Sequence, residues 1–152
     1  MNNAIKITFV KDHPDAQLPK RNHDDCNGVH NHDAGFDIFC CEDTIIPAKT
    51  SKVVNTGIKV GFIEPGYWFK IEARSGLGFK HGIQPHPGII DTQYRGPLSV
   101  KLYNLSDSSY QIKAGDRIAQ FIVYKLYDAD ISWAENVDQT ARGENKLGSS
   151  GS

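Results

Sequence analysis

Short runs of β-branched and aromatic residues, broken repeatedly by Gly, Pro, Asn and Asp, restrict the fold of this chain more than anything else in it. The runs are Ile5–Val10, Asp37–Cys41, Lys52–Lys59, Tyr67–Glu72, Leu98–Leu105 and Arg117–Tyr127. Such residues fit the pleated surface of a sheet, and the breakers between them supply the conformations that turns need. Short strands at this spacing predict an all-β sandwich or barrel of the jelly-roll kind. One short helix is expected at Ser75–Lys80. No internal repeat or linker divides the 152 residues, which are enough to bury one proper core.

Two stretches fall outside this rhythm. Lys20–Asp33 is crowded with His, Asn and Asp and is expected to be a polar loop inserted into the domain. From Val137 onward the chain is polar and glycine-rich. A β domain over residues 1–136 is therefore expected to carry a flexible C-terminal arm, residues 137–152.

Hydrophobic residues make up 39% and charged residues 23%, the balance of a soluble globular protein rather than a disordered one. No apolar run reaches the length of a membrane span, and no secretory leader is visible. A net charge of −1 lacks the basic footprint of a general nucleic-acid binder, while leaving room for a local basic pocket. The cysteines are Cys26, Cys40 and Cys41, an odd number, and Cys40 and Cys41 would point to opposite faces of a strand. No disulfide framework is expected, and a reducing cytoplasmic setting fits best.

Chemistry-bearing residues are concentrated in the run Gly88-Ile89-Ile90-Asp91-Thr92-Gln93-Tyr94-Arg95-Gly96. Ile89 and Ile90 read as strand, and Gly88 lets a backbone or ligand come close. A carboxylate at the end of such a strand, ionised at neutral pH, could hold a water and take its proton. Asp91 could equally begin a turn. Tyr94 offers a flat face to a sugar or base, or packs across strands as strand tyrosines commonly do.

Around this run stand Ala34-Gly35-Phe36-Asp37-Ile38 and Ala73-Arg74-Ser75-Gly76-Leu77-Gly78 before it, and Gly115-Asp116-Arg117-Ile118-Ala119-Gln120 and Arg142-Gly143-Glu144-Asn145-Lys146-Leu147-Gly148-Ser149-Ser150-Gly151 after it. In content and order this series resembles the five motifs of the trimeric dUTPase family, over nearly the whole chain after its first residues. The last cluster continues in register, so the tail reads as native through Gly151, although Gly148–Ser152 has the composition of an expression linker.

The resemblance implies a distorted jelly roll or β-barrel of the dUTPase type. It implies hydrolysis of dUTP to dUMP and pyrophosphate, which lowers dUTP and supplies dUMP for thymidylate synthesis. Asp91 is then the general base. Tyr94 lies under the deoxyribose and leaves no room for a 2′-hydroxyl. The backbone from Pro87 to Asp91 reads uracil, chiefly through Gly88 and Ile90, since Pro87 has no amide. Ser75 and the amide of Gly76 bind phosphate oxygens, Arg74 fixes their loop through a carboxylate, and Gln120 reaches phosphate directly or through water. Asp37 takes a structural place, paired with Arg74 or Arg117, or a place in the outer shell of the metal. In the tail, Arg142 forks onto the terminal phosphate, and Leu147, Gly148 and Ser149 close over the substrate. Mg²⁺ is the implied cofactor, held by the triphosphate and waters rather than by a protein cage. The implied assembly is a homotrimer with shared sites. One subunit gives Arg74, Ser75, Gly76 and Gln120, another Asp91 and Tyr94, and the third its tail. The substrate dUTP is the expected partner, with no nucleic acid and no membrane.

The chain departs from the family pattern in places. Asn145-Lys146-Leu147 stand where Gly-Gly-Phe is usual, which removes the ring that would cover uracil. Gln93 stands where an acid is common. The His, Cys and Asp of the 20–33 loop could bind a transition metal, yet their spacing matches no standard zinc pattern. A dCTP deaminase of related fold would need a glutamate on the strand after the hairpin, where this chain has Lys101. A regulatory binding protein that uses the nucleotide pocket as a switch is the other alternative, suited by the altered tail and the His-rich loop.

Overall fold

The computed structural model describes residues 4–21 and 33–144. Its elements are β1 (Ile7–Lys11), β2 (Phe36–Phe39), β3 (Thr44–Ile46), β4 (Ser51–Val54), β5 (Ile58–Ile63), β6 (Tyr67–Glu72), α1 (Ser75–His81), β7 (Ile83–Pro85), β8 (Gly88–Ile90), β9 (Val100–Asn104), β10 (Tyr110–Ile112) and β11 (Arg117–Lys125). Every pairing between them is antiparallel. They form four small sheets: β1-β5, β3-β10, β2-β11-β6-β8 and β4-β9-β7. This is the jelly-roll-like β fold that the turn rhythm predicts.

The inward residues of these sheets share one core, with Ile38, Ile46, Phe69, Leu98, Leu102 and Ile118 almost wholly buried. Burying each such side chain contributes roughly 1.5–3 kcal/mol. The buried Asn104 and Thr56 are hydrogen-bonded. Asn104 donates from Nδ2 to the carbonyls of Ile46 and Ser108, each at 2.9 Å, and its Oδ1 accepts from Ser106 N and Oγ. Thr56 Oγ1 donates to Leu98 O at 2.6 Å. Leaving such groups unmade in the core would cost more than their bonds return.

The structure differs from the sequence reading at several strands. Lys52–Lys59 is not continuous but splits into β4 and β5. Gly57 sits between them at φ 71°, its amide donating to Asn55 Oδ1 at 2.9 Å. A Cβ there would lie 2.7 Å from that of His13, so both backbone and space demand glycine. Strands β3, β7 and β10 have three residues each, too few to show a readable alternation. The helix is where it was expected. Gly82 closes it at φ 67°, its amide bonding back to Gly78 and Leu77, and Lys80 and His81 occupy its negative end.

Cys40 and Cys41 are buried and free. Their thiols go opposite ways, Cys40 Sγ to Lys113 O at 2.8 Å and Cys41 Sγ to Asn55 O at 3.4 Å. Burial pushes both thiols up from their ordinary value, which keeps them protonated and unreactive. Cys26 and most of the 20–33 loop lie outside the described residues. At the other end, Leu126 N–H donates to Gly66 O at 2.8 Å. No helix or strand follows it among the described residues, and every residue from Leu126 to Glu144 is exposed.

Candidate active site

Asp37 joins three separate parts of the chain. It lies on β2, which borders β11, and its backbone also bridges to Lys20. Its carboxylate is nearly buried, at 8% side-chain exposure. Arg74, the residue that starts α1, donates from Nε to Asp37 Oδ1 at 3.0 Å. Arg117, the first residue of β11, brings its Nε to 3.1 Å from Oδ2 as an ion pair, though not along the line of a hydrogen bond. A buried carboxylate needs such partners, and two guanidinium groups satisfy it with one positive charge to spare. With both oxygens beside a guanidinium, Asp37 ties together the segments that carry Arg74 and Arg117.

The loops it anchors enclose a cavity of about 320 Å³, lined by Asp33, Gly35, Asp37, Arg74, Ser75, Gly76 and Gln120. Ser75 and Gly76 form the first turn of α1, whose amides fall outside the helical ladder and are available to an anion. Gln120 is held against the wall by its Nε2, which donates to Ala73 O at 2.8 Å. Gly35 makes that position available, because a Cβ there would come within 2.1 Å of Gln120 Oε1 and 2.8 Å of Cδ. Gly35→Ala is expected to swing the amide away from Ala73. If Gln120 reaches phosphate, as the resemblance implies, phosphate affinity should then fall by roughly tenfold, the value of one or two hydrogen bonds, while the melting temperature stays close to that of the wild type. Calorimetric titration with the nucleotide checks this, and unchanged affinity would remove Gln120 from the site.

Asp91 follows β8 directly and is exposed. A tight turn fixes it, with Tyr94 N–H donating to Asp91 O at 3.0 Å. Thr92 Oγ1 donates to Tyr67 O, and Arg95 donates to the carbonyls of Thr92 and Tyr94, each at 2.8 Å. The Tyr94 hydroxyl turns back to Pro97 O at 2.6 Å, so its ring lies across Gly96, where a Cβ would meet the hydroxyl oxygen at 2.6 Å. The ring remains 38% exposed, a flat surface beside the carboxylate. Asp91 thus opens a turn and is exposed.

Pro87 precedes β8, and Gly88 and Ile90 lie on it, at the edge of the β2-β11-β6-β8 sheet. Gly88 packs on Ile71, 3.1 Å from where its own Cβ would be. The cavity at Asp91, about 680 Å³, is lined by Trp68, Ile89, Asp91, Thr92, Gln93, Tyr94 and Leu126. Trp68, Ile89 and Leu126 were missed by the sequence reading. Trp68 lies opposite Tyr124 on β11, and their rings stack at 4.9 Å.

The structure thus gathers Arg74, Ser75, Gly76 and Gln120 in one cavity and Asp91 and Tyr94 in another, with no residue common to the two. Arg142 is exposed beyond the last strand, and Leu147, Gly148 and Ser149 lie outside the described residues. Among the described residues no three His, Cys, Asp or Glu side chains are grouped to hold a metal ion.

The sequence model of the dUTPase family matches residues 21–151. The chain belongs to the dUTPase family. It is 42% identical over 149 residues to the deoxyuridine 5'-triphosphate nucleotidohydrolase of Wolinella succinogenes, covering 97% of this chain and 95% of that one. The Helicobacter pylori protein of the same name is 37% identical, with 97% of both chains covered. Among solved structures, the dUTPase of Staphylococcus bacteriophage 80alpha with dUpNHpp superposes with a TM-score of 0.82 at 26% identity, covering 99% of this chain and 100% of that one. Those alignments span nearly the whole of this dUTPase family member.

Proposed function

We infer that the chain hydrolyses dUTP to dUMP and pyrophosphate, with Asp91 as general base. One observation supports the residue assignment: an exposed carboxylate at the exit of β8, opening a turn closed by Tyr94 N–H, in one cavity with the partly exposed Tyr94. Asp91 holds a water and takes its proton as that water attacks the α-phosphorus, and pyrophosphate leaves with the bridging oxygen. The Tyr94 ring supports the deoxyribose, and the main chain of Pro87, Gly88 and Ile90 reads the base. Ser75, Gly76 and Gln120 bind the phosphates, and Arg74 keeps that loop in shape through Asp37.

Mg²⁺ supplies charge neutralisation on the triphosphate when bound. The donor set suits an ion that arrives on substrate oxygens. Asp37 lies between two arginines, so the proposed part of the protein is to hold the phosphates that would carry the ion.

The two half-sites within one chain support a shared site in a homotrimer. So does the stretch after Leu126, in which Ile131 and Trp133 flank Ser132, both almost fully exposed, and Val137 is also exposed. Alternation of this kind belongs to a strand whose partner lies outside its own subunit. A third copy then lays its tail, with Arg142 and the Leu147–Ser149 segment, over the substrate. Lys101 is exposed on β9 and offers a cation where a deaminase needs a proton-carrying acid.

Pyrophosphate release from dUTP with Mg²⁺, measured beside dCTP, dTTP and UTP, tests the reaction. Pyrophosphate from dUTP alone is expected, and ammonia from dCTP would favour the deaminase. Mixing two inactive variants, Asp91→Asn and Ser75→Ala, after brief dissociation tests the sharing. Sites formed between unlike subunits should regain turnover that neither parent has, and persistent silence of the mixture would rule sharing out.

A further inference from the structure

The base-reading segment is reached through an abrupt change of sheet. Strand β7 belongs to the β4-β9-β7 sheet, pairing Ile83, Gln84 and Pro85 with Asn104, Tyr103 and Leu102. Strand β8, two residues later, belongs to the other sheet, pairing Gly88, Ile89 and Ile90 with Ile71, Lys70 and Phe69. Only His86 and Pro87 link the two. His86 is the last residue tied to β9, its amide donating to Lys101 O at 2.7 Å. Pro87 has no amide with which to continue the ladder. The place where the chain leaves β9 is therefore set at His86, and it determines where Gly88 begins its contact with Ile71.

The His86 side chain reinforces that point. Its Nδ1 lies 2.9 Å from the Tyr103 hydroxyl, and the two rings are 5.9 Å apart. Tyr103 is the diagonal neighbour of His86 across the sheet, within reach of a long side chain. The hydroxyl donates to Nδ1 of a neutral imidazole and accepts from a charged one, so the link survives either state. Lys101 stands beside it, with Nζ 5.5 Å from the Tyr103 ring. None of these three side chains lines the cavities that hold the proposed phosphate and base sites.

We propose that His86 and Tyr103 form a positioning pair that fixes the corner between β7 and β8 and thereby sets how strictly the site selects uracil. Reading a base by main-chain groups depends on where the backbone sits, because it has no side chain to readjust. Discrimination against thymine's methyl group and cytosine's amine therefore weakens when the corner can shift. The proposal rests on the dUTP-hydrolase reading.

The test compares wild type with His86→Ala, Tyr103→Phe, the double variant and His86→Asn, whose side-chain amide can occupy the place of Nδ1. For each, kcat and KM are measured on dUTP, dTTP and dCTP, and the affinity for dUMP by calorimetry. Expected for His86→Ala and Tyr103→Phe is a KM for dUTP raised by roughly three- to tenfold, the range of one hydrogen bond, with kcat little changed. The preference for dUTP over dTTP should narrow, the double variant should be no worse than the singles, and His86→Asn should recover most of the loss. Wild-type turnover on dUTP judges the hydrolase reading, and the variant-to-wild-type ratios judge the pair. Active variants with unaltered KM and selectivity would overturn the pair alone. A wild type that neither turns over dUTP nor binds dUMP would overturn both.

Discussion

Asp91→Asn should lower kcat on dUTP by roughly 10²–10⁴, the usual contribution of a positioned general base, with little change in KM. The amide keeps the shape and the turn, because the bond that closes it runs from Tyr94 N–H to the backbone oxygen of residue 91. It removes only the ability to take a proton. The side chain is exposed and carries no core packing, so the melting temperature should be unchanged. Steady-state pyrophosphate release beside a thermal melt checks both halves. A variant that turns over at the wild-type rate would sink Asp91 as the base, and one that melts early would mean the turn needs the charge.

Asp37→Ala acts on the fold and the site together. It removes the only carboxylate shown between Arg74 and Arg117 and leaves two guanidinium groups facing one another. Breaking a buried charge pair from one side costs 3–5 kcal/mol, and the partial exposure of both arginines, 30% and 38%, puts this case near the lower end, about 3 kcal/mol. For a chain of this size that corresponds to a melting temperature lower by roughly 6–12 °C. The loop carrying Ser75 and Gly76 loses its anchor as well, so kcat/KM should drop even at temperatures where the variant is folded. Calorimetry and kinetics at 15 °C separate the two effects. A stable variant with normal kinetics would show that the arginines hold their loops by other contacts.

The β class, the helix at Ser75 and the placement of Asp91 after a strand could be read from local pattern, because each depends on neighbours in sequence. The Asp37 junction was half legible. A near-buried acid demands a cation, and both Arg74 and Arg117 were candidates; that it takes both depends on β2 and β11 lying side by side, which local pattern does not encode. The break at Gly57 was hidden because Asn55-Thr56-Gly57 sits between β-branched residues that read through it. Trp68, Ile89 and Leu126 could not be assigned to the cavity, since they are 21 or more residues apart in sequence and meet only through sheet order. Through the family resemblance, the motif order already separated Arg74, Ser75, Gly76 and Gln120 from Asp91 and Tyr94, and in the structure the two groups line different cavities.

The point at Leu126 where the chain leaves the β body has a practical consequence for anyone handling the protein. The strands and the core described above all precede it. The exposed Ile131, Trp133 and Val137 come after it, and in the proposed trimer another subunit would cover them. Under that reading folding and competence would respond differently to dilution. A nanomolar sample can keep its full circular dichroism and melting curve while its specific activity declines, and an assay run only at that concentration would mistake a disassembled enzyme for a poor one.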